Sequence, residues 1–459
     1  MDTLPDDVLL SIFKLCVNEE EDRLQQVWQT LVHVCPRWRS LVFGPPRSLN
    51  LKLICTSRTP VRDMLDVWPP LPLVVTSVRY PGDYRIENVD NIATVLEHRN
   101  RVCQIHISSS YMEKVFEAMQ EPFPELTRLT LWSDGRAMIV LPDSFLGGSA
   151  PRLQLIHLLG IPFPGLPKLL LSATHLTKLS LCDIPHSGYI SPEVMATALS
   201  ALTSLRHLHL GFHSPLSLPD RASRRLPPQK RFVLSVLTEF FFEGVSEYLD
   251  DLVARIDAPR LKKLDISFFN RILFDTPQLV QFISRTSALK APEKAHVIFM
   301  ESVAMVKLTS RASDYGDLSV AILCENTDWQ VSSLEQVCTS CLPSFSTLED
   351  LCISEDLDLQ PDWQDNIENS LWLELLQPFT AVKNLYLSRE FAPRIVPSLQ
   401  DLVGERMTEV LPILKNIFLE GLETSGPVQE GIRQFVATRE ASHPIAVSSW
   451  DVEVWVVDD

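Results

Sequence analysis

Four stretches of this chain share one spacing of apolar side chains: PELTRLTL at 124–131, PRLQLIHL at 151–158, THLTKLSL at 174–181 and TSLRHLHL at 203–210. In each stretch the third, sixth and eighth residues are apolar. The last three positions alternate apolar, variable, apolar, which is typical of a β-strand with one buried face. Recurrence of one such pattern along a chain predicts that the protein is built from repeated units.

The same spacing recurs from residue 102 to residue 419, with first positions about 31 residues apart on average. The widest intervals lie on either side of Val303, which predicts an insertion or a further strand there. The segments are Val102-Ile105-Ile107, Leu126-Leu129-Leu131, Leu153-Ile156-Leu158, Leu176-Leu179-Leu181, Leu205-Leu208-Leu210, Leu237-Phe240-Phe242, Leu261-Leu264-Ile266, Val303-Val306-Leu308, Leu348-Leu351-Ile353, Val382-Leu385-Leu387 and Leu414-Ile417-Leu419.

Between these strands the chain carries apolar residues at helical spacing. Examples are Val194/Ala198/Leu199/Leu202, Leu249/Leu252/Val253/Ile256, Leu334/Val337/Cys338/Cys341 and Leu399/Leu402/Val403. A strand and a helix that alternate at this period resemble the leucine-rich repeats. The resemblance implies an α/β fold, an irregular solenoid with a curved parallel sheet and helices on its convex side. A doubly wound α/β domain is the alternative, but it would need longer apolar strands and Gly-rich turns, and the chain has only 15 glycines.

The first 43 residues carry a different pattern, with three successive apolar runs at helical spacing. Thr3 can cap a first helix together with Asp6, and Pro36 can open a third helix that ends before Gly44. The runs are Val8, Leu9, Ile12, Phe13 and Cys16, then Leu24, Val27, Trp28, Leu31, Val32 and Cys35, then Trp38, Leu41 and Val42. Three helices in about 45 residues bury too little apolar surface to be stable alone. They are therefore either a cap that packs on the rest of the chain or a docking module that another protein completes.

Two segments of this block, LPDDVLLSIF at 4–13 and VCPRWRSL at 34–41, resemble the F-box. The acidic run at 18–22 is longer than a compact F-box needs and makes the start of the second helix uncertain. With the repeats behind it, the chain is similar to fungal-type F-box proteins with C-terminal leucine-rich repeats. The resemblance implies docking on a Skp-type adaptor, and through it on a cullin, as the substrate-recognition subunit of a Skp–cullin–F-box E3 ubiquitin ligase. The candidate adaptor-binding residues are Leu4, Pro5, Leu9, Ile12, Phe13, Val34, Trp38 and Leu41.

The repeats and the resemblance together predict four regions. They are residues 1–45 as the F-box domain, 46–100 as a linker with degenerate first repeats, 101–425 as the leucine-rich-repeat solenoid and 426–459 as a C-terminal cap. Residues 49–53 and 73–75 are the candidate degenerate strands. Apolar residues alternate from Trp450 to Val457, as in a final strand that covers the last repeat.

In stacked repeats the variable residues beside the strand leucines line the open face of the sheet. These residues are richer in His, Arg and Lys in the first half of the chain, and in acids and aromatics in the second. Because aromatics and Arg are enriched at interface hot spots, we expect a protein or peptide target with the opposite charge gradient. The candidate target-binding residues are Arg128, Trp132, His157, Lys178, His207, His209, Phe241 and Tyr386. Two alternatives stay open: an adaptor-bound scaffold or regulator outside any ligase, and a receptor gated by a small molecule on the same face.

Composition argues against several other classes of protein. A net charge of −17 argues against nucleic-acid binding, and no stretch approaches the ~18 apolar residues of a membrane span. Asp2, Asp6 and Asp7 stand where a secretory signal would be basic, and nine scattered cysteines suit a reducing compartment. We therefore expect a cytoplasmic or nuclear protein. The basic run at 221–231 predicts a loop, with an import signal or an acidic-partner contact as its functional alternative.

No catalytic motif stands out, so we expect a protein that is not an enzyme and binds no cofactor or metal. Cys338 and Cys341 have the spacing of half a zinc site, but they continue a helical apolar stripe, which predicts core packing. His207, His209 and His213 have no acid or Cys near them in sequence that would complete a metal site. The sequence shows no phosphate-binding Gly-rich loop, nucleophile elbow or HExxH helix.

Overall fold

A computed structural model gives the conformation of the chain. It describes residues 4–18, 27–44, 49–56, 59–77, 89–108, 112–133, 140–213, 230–269, 276–310, 316–324, 327–343, 345–356, 367–402, 406, 408–421, 426–440 and 444–450. The chain divides into two compact units, Met1–Tyr189 with Ala201–Ser204 (unit 1) and Ile190–Ser200 with Leu205–Asp459 (unit 2). Each unit combines helices with a sheet whose pairings are mainly parallel, so the predicted α/β class is confirmed.

Unit 1 opens with three helices and continues with strands that mostly alternate with helices. Its described elements are α1 (Asp6–Asn18), α2 (Val27–Val34), α3 (Pro36–Phe43), β1 (Leu53–Thr56), α4 (Val61–Val67), β2 (Leu73–Thr76), α5 (Val89–Leu96), β3 (Val102–Ser108), α6 (Met112–Ala118), β4 (Arg128–Trp132), β5 (Leu155–Leu159), α7 (Leu166–Leu170) and β6 (Lys178–Ile184). Strands β1 to β6 pair in chain order, and every one of these pairings is parallel.

The apolar residues of neighbouring repeats lie in register. Leu129 on β4 is opposite Ile156 on β5, which in turn is opposite Leu179 on β6. All three side chains are buried, as are Leu153 and Leu176, which lead into β5 and β6. Because each strand's apolar residues are covered by those of its neighbours, a single repeat cannot bury its core alone.

A threonine directly before a strand links several repeats, a contact that the sequence analysis did not anticipate. In each case its hydroxyl donates to a backbone carbonyl of the preceding repeat, which satisfies a polar group at the entry to the strand. The bonds are Thr127 Oγ1 to Cys103 O at 2.9 Å, Thr177 Oγ1 to Gln154 O at 3.0 Å and, in unit 2, Thr238 Oγ1 to Arg206 O at 3.1 Å.

Unit 2 repeats the alternation of strands and helices with one interruption. Its described elements are α8 (Pro192–Leu199), β7 (His207–Phe212), β8 (Phe232–Val233), β9 (Glu239–Gly244), α9 (Ser246–Val253), β10 (Ile256–Asp257), β11 (Lys263–Phe269), α10 (Pro277–Arg285), β12 (Lys294–Phe299), β13 (Val303–Thr309), β14 (Asp317–Leu323), α11 (Thr327–Gln336), β15 (Asp350–Glu355), α12 (Asn369–Leu376), β16 (Asn384–Leu387), α13 (Ala392–Gln400), β17 (Asn416–Glu420), α14 (Pro427–Glu440) and β18 (Ala446–Trp450). Across its main sheet the strand order is β7-β9-β11-β14-β13-β12-β15-β16-β17-β18, and β8 pairs separately with β10.

The strand at Val303 runs in the opposite direction to the repeats. β13 pairs antiparallel with both β12 and β14, whereas β14 is parallel to β11 and β12 is parallel to β15. The prediction that Val303-Val306-Leu308 continues the repeat is therefore wrong. The insertion or further strand predicted near it is confirmed, because β12 and β14 are additional strands. The pattern misled because apolar alternation is the same in parallel and antiparallel strands.

Two details of the predicted helical stripes also differ. Val194 is exposed on α8, although Ala198, Leu199 and Leu202 are buried as expected. Ile256 is buried but belongs to β10, because α9 ends at Val253. The stripe Leu334/Val337/Cys338/Cys341 is buried throughout, so the predicted core packing of the two cysteines is confirmed.

The predicted helices of the N-terminal block are present as α1, α2 and α3. Pro36 opens α3, and Cys35 Sγ caps it by accepting a hydrogen bond from the Trp38 backbone N–H at 3.5 Å. At the other end of the chain β18 pairs in parallel with β17 and ends at Trp450, where the predicted final strand begins. Predictions for Thr3, Leu24, Val403, residues 221–229 and residues 451–457 lie outside the described residues.

The packing of the repeat core can be tested by substituting one of its buried leucines. Leu179→Ala removes a fully buried side chain from β6, so the free energy of unfolding should fall by about 2–5 kcal/mol. The matched change Lys178→Ala, on the exposed side of the same strand, should change it by less than about 0.5 kcal/mol. Urea unfolding followed by circular dichroism measures both values, and equal losses would contradict the assigned core.

Candidate interaction surfaces

Helix α1 has one buried and one exposed apolar side. Leu9 and Phe13 are 2% and 1% exposed, and the Phe13 ring packs edge to face against Trp38 at 4.9 Å. By contrast Leu4 and Ile12 are each 42% exposed. With Val8 and Leu15, which are also exposed, they recur three or four residues apart and so follow one side of the helix. We call Leu4, Val8, Ile12 and Leu15 the α1 stripe.

The inner side of the helical block is anchored to the chain that follows it. Trp28 on α2 is buried, and its indole N–H donates to the Lys52 carbonyl at 3.0 Å. Its ring packs edge to face against Trp68, just after α4, at 5.1 Å and against Phe43 at 5.9 Å. The block thus packs on the segment that follows it within unit 1 and also exposes an apolar stripe. Features of both interpretations from the sequence are therefore present.

Arg37 joins the two segments that carry the F-box resemblance. Its Nη2 donates to Asp6 Oδ1 and to the Leu4 carbonyl, both at 2.6 Å, and its Nε donates to the same Asp6 oxygen at 3.0 Å. These bonds tie the start of α1 to α3 and so position the exposed Leu4-Pro5 turn. The contact spans 31 residues, and the sequence held no signal for it beyond the opposite charges.

The candidate adaptor-binding residues separate into three groups by exposure. Leu9 and Phe13 are buried and hold α1 in place. The exposed candidates are Leu4, Pro5, Ile12 and Val34, and the half-buried candidates are Trp38 and Leu41. Val8 and Leu15 belong to the exposed group as well, although the sequence analysis did not select them.

Four candidate target-binding residues lie on the open strand face of unit 1. Trp132 and His157 are close, with ring centroids 6.1 Å apart, and a His157 ring nitrogen is hydrogen bonded to Ser180 Oγ at 2.8 Å. Arg128 and Lys178 lie in the same register row, with Leu155 between them. Burial, and then Arg128, lower the pKa of the neighbouring His106, which favours its neutral form. Of the four candidates, Trp132 and His157 are close to each other, whereas Arg128 and Lys178 are two strands apart.

The next three candidates lie together on the open strand face of unit 2. His207 Nδ1 is 2.9 Å from Glu239 Oε2, so a carboxylate that the sequence placed 32 residues away is its direct neighbour. The His209 and Phe241 rings are 5.8 Å apart, and Lys263 Nζ lies 5.2 Å from the Phe241 ring centroid. Within the described residues, no group of three or more His, Cys, Asp or Glu side chains is placed to hold a metal ion.

The eighth candidate, Tyr386, belongs to an aromatic group in unit 2. Its ring stacks on Phe418 at 4.4 Å and meets Trp450 edge to face at 5.4 Å. Tyr386 and Phe418 occupy equivalent positions of their repeats and are register partners, so the repeat spacing could have predicted this pair. Trp450 lies 64 residues from Tyr386 in sequence, and only the pairing of β18 with β17 brings it there.

Two buried cysteines, one cleft and the helices are the remaining features to consider in the described part of the chain. Burial raises the pKa of the Cys55 thiol to about 12, and burial also raises that of Cys338, which disfavours a nucleophilic thiolate at either position. A cleft of about 250 Å³ lies beside α12 and α13, away from the strand face where a small ligand was considered. None of the described helices combines the length and the hydropathy needed to cross a membrane.

Comparison with known proteins finds similarity among solved structures only. No protein-family model matches the chain, and no curated protein sequence matches it. Among solved structures, the chain is similar to the leucine-rich repeat-containing protein LegL7 from Legionella pneumophila, with 10% sequence identity and a TM-score of 0.26. The likeness covers 73% of this chain and 90% of that chain. At this TM-score it carries no argument about function.

The anchoring of the helical block can be tested through Trp28. Trp28→Ala removes a buried ring and a hydrogen bond, so the free energy of local opening of α2 and α3 should fall by about 3–5 kcal/mol. Native-state hydrogen exchange of their amides measures it. Trp329→Ala, at an exposed position of α11, is the control and should leave that exchange unchanged. Unaltered exchange in Trp28→Ala would show that this contact does not hold the block.

Proposed function

We propose that this chain is the substrate-recognition subunit of a Skp–cullin–F-box type E3 ubiquitin ligase. In this role the N-terminal helices are an F-box that docks on a Skp-type adaptor, and the repeats are a leucine-rich-repeat surface that binds the target protein. The α1 stripe is the observation that carries the proposal. It is a row of exposed apolar side chains, of which Leu4, Val8 and Ile12 lie within the segment whose residues resemble an F-box.

The physical argument for docking starts from the cost of exposing the stripe to water. Removing apolar surface from water contributes about 25 cal/mol per Å², so covering several large aliphatic side chains favours association. Leu9 and Phe13 are already buried within the block and do not need a partner, whereas Leu4, Ile12 and Val34 remain exposed. An apolar groove on an adaptor would complete the core that three short helices cannot complete alone.

The strand faces support the other half of the proposal. Their polar and aromatic side chains form rows across the paired strands. Phe241 is the register partner of His209, and Trp132 lies close to His157 on the neighbouring strand. Such rows offer an extended surface of the kind that repeat proteins use for binding. The chain then acts by position: a target held on the repeats is presented at high effective concentration to the charged ubiquitin carrier.

Charged substitutions in the stripe test the docking. Val8→Glu combined with Ile12→Glu places two carboxylates on the exposed side of α1, so capture of a Skp-type adaptor and of cullin should fall at least about tenfold, as for loss of an interface hot spot. Lys14→Glu, at an exposed polar position of the same helix, is the matched control and should keep both partners. Affinity capture from cells with protein identification measures them.

Two further measurements, circular dichroism and a ubiquitination assay, complete the experiment. Circular dichroism should show the same folded signal for both variants, because the substituted positions are exposed. If the stripe variant is folded and still captures the adaptor, the docking proposal is wrong. If the adaptor is captured but bound proteins are never ubiquitinated in the reconstituted complex, the scaffold or regulator alternative replaces the ligase role.

A further inference from the structure

An aromatic surface spans the last three strands of unit 2. Tyr386 on β16 and Phe418 on β17 stack with their planes 8° apart, and Trp450 on β18 contacts Tyr386 at 72°. The Trp450 indole N–H donates to the Leu387 carbonyl at 3.1 Å, which fixes the orientation of the ring. All three rings remain half-buried, although rings of this size contribute most when they are fully covered.

Carboxylates lie near this surface at the carboxyl ends of β15 and β17. Glu420, the last residue of β17, is the register partner of Trp450, and its Oε2 accepts the Arg389 backbone N–H at 3.0 Å. Glu355, the last residue of β15, accepts a hydrogen bond from the Ser388 hydroxyl. Both carboxylates are therefore fixed in orientation, and Glu420 lies opposite Trp450 on the neighbouring strand. We call Tyr386, Phe418, Trp450, Glu355, Glu390 and Glu420 the aromatic–acidic patch.

The carboxylates of the patch are close enough to influence one another. Burial is the largest effect and raises the pKa of Glu355; the Ser388 hydrogen bond opposes it, and Glu420 and Glu390 raise the pKa further. The like charges near Glu355 disfavour its ionised form. A cation bound among them would remove that repulsion and would stabilise the charged carboxylates.

The geometry favours a guanidinium over other cations. A planar guanidinium stacks on an aromatic face and can donate two parallel hydrogen bonds to one carboxylate, which an ammonium cannot do. In the patch a carboxylate, Glu420, and an indole ring, Trp450, are side by side on paired strands. The net charge of −17 on the chain adds a general preference for a basic partner.

We propose that the aromatic–acidic patch binds an arginine-containing basic segment of the target protein. Arginine side chains of the segment lie against the Trp450 and Tyr386 rings and pair with the Glu420 carboxylate. The proposal specifies the target end of the proposed function. Binding of the segment is measured on this chain alone, without an adaptor. A negative result would therefore leave adaptor docking untouched, and loss of adaptor docking would leave this binding untouched.

A displayed library of random 12-residue peptides, selected on the immobilised full chain, provides the test. Peptides enriched by the wild-type chain should contain arginine several-fold more often than the unselected library, and more often than lysine. In the double variant Glu420→Gln, Trp450→Leu the arginine enrichment should disappear. The best selected peptide should lose at least about tenfold in affinity for that variant, measured by fluorescence anisotropy.

Matched controls separate the patch from general electrostatic attraction. Glu430→Gln, at an exposed position of α14, changes the net charge by the same amount as Glu420→Gln and should keep the enrichment. Unchanged circular dichroism checks that each variant is folded. The proposal is overturned if the wild-type chain selects no excess of arginine, if lysine is enriched equally, or if the patch variant selects the same peptides as the wild type.

Discussion

In-register pairing of parallel strands is the constraint on which the rest of this molecule depends. Leu129, Ile156 and Leu179 cover one another in unit 1, and Phe240 and Leu264 do so in unit 2. The same register also aligns the side chains between the apolar residues, because successive residues of a strand point to opposite faces. A slip of one residue would bury the polar row and expose the core. The candidate binding faces are thus a direct product of the core.

Much of the repeat could be predicted because the alternation of apolar residues within a few adjacent positions indicates which side of a strand is buried. Leu176-Leu179-Leu181 lies on β6 or leads into it, as its spacing indicates. Strand direction is not local, and so Val303 was assigned to a parallel repeat although β13 is antiparallel. Strand β12 was not among the predicted segments for a different reason. Ala295, Val297 and Phe299 alternate as in a strand, but the leading apolar residue of the repeat pattern is missing before them.

At the candidate sites, too, the sequence indicates the residue types but not which residues far apart in sequence come into contact. Apolar residues surround much of α1, so their spacing alone could not separate the buried Leu9 from the exposed Ile12. That separation depends on where α2 and α3 pack. Contacts such as those of Glu239 with His207 and of Trp450 with Tyr386 arise from strand pairing between residues far apart in sequence. Sequence reasoning could identify the residue types but not the neighbours.

The N-terminal block combines attachment on one side with an exposed stripe on the other. Trp28 and Trp68 fix it to the segment that follows within unit 1, and Arg37 fixes the start of α1 to α3. In the proposed ligase this attachment would hold the adaptor in a defined position relative to unit 1. A docking segment on a flexible tether would leave that position undefined, so the packing around Trp28 bears on function as well as on stability.

Hydrogen–deuterium exchange of the full chain, with and without a purified Skp-type adaptor, would locate the docking surface. We expect amides of α1 to become at least about tenfold more protected when the adaptor is bound, while those of β4 to β6 do not change. Binding of the adaptor with protection confined to the strands, or saturating adaptor with no protection of α1, would contradict the assignment of the α1 stripe as the docking surface.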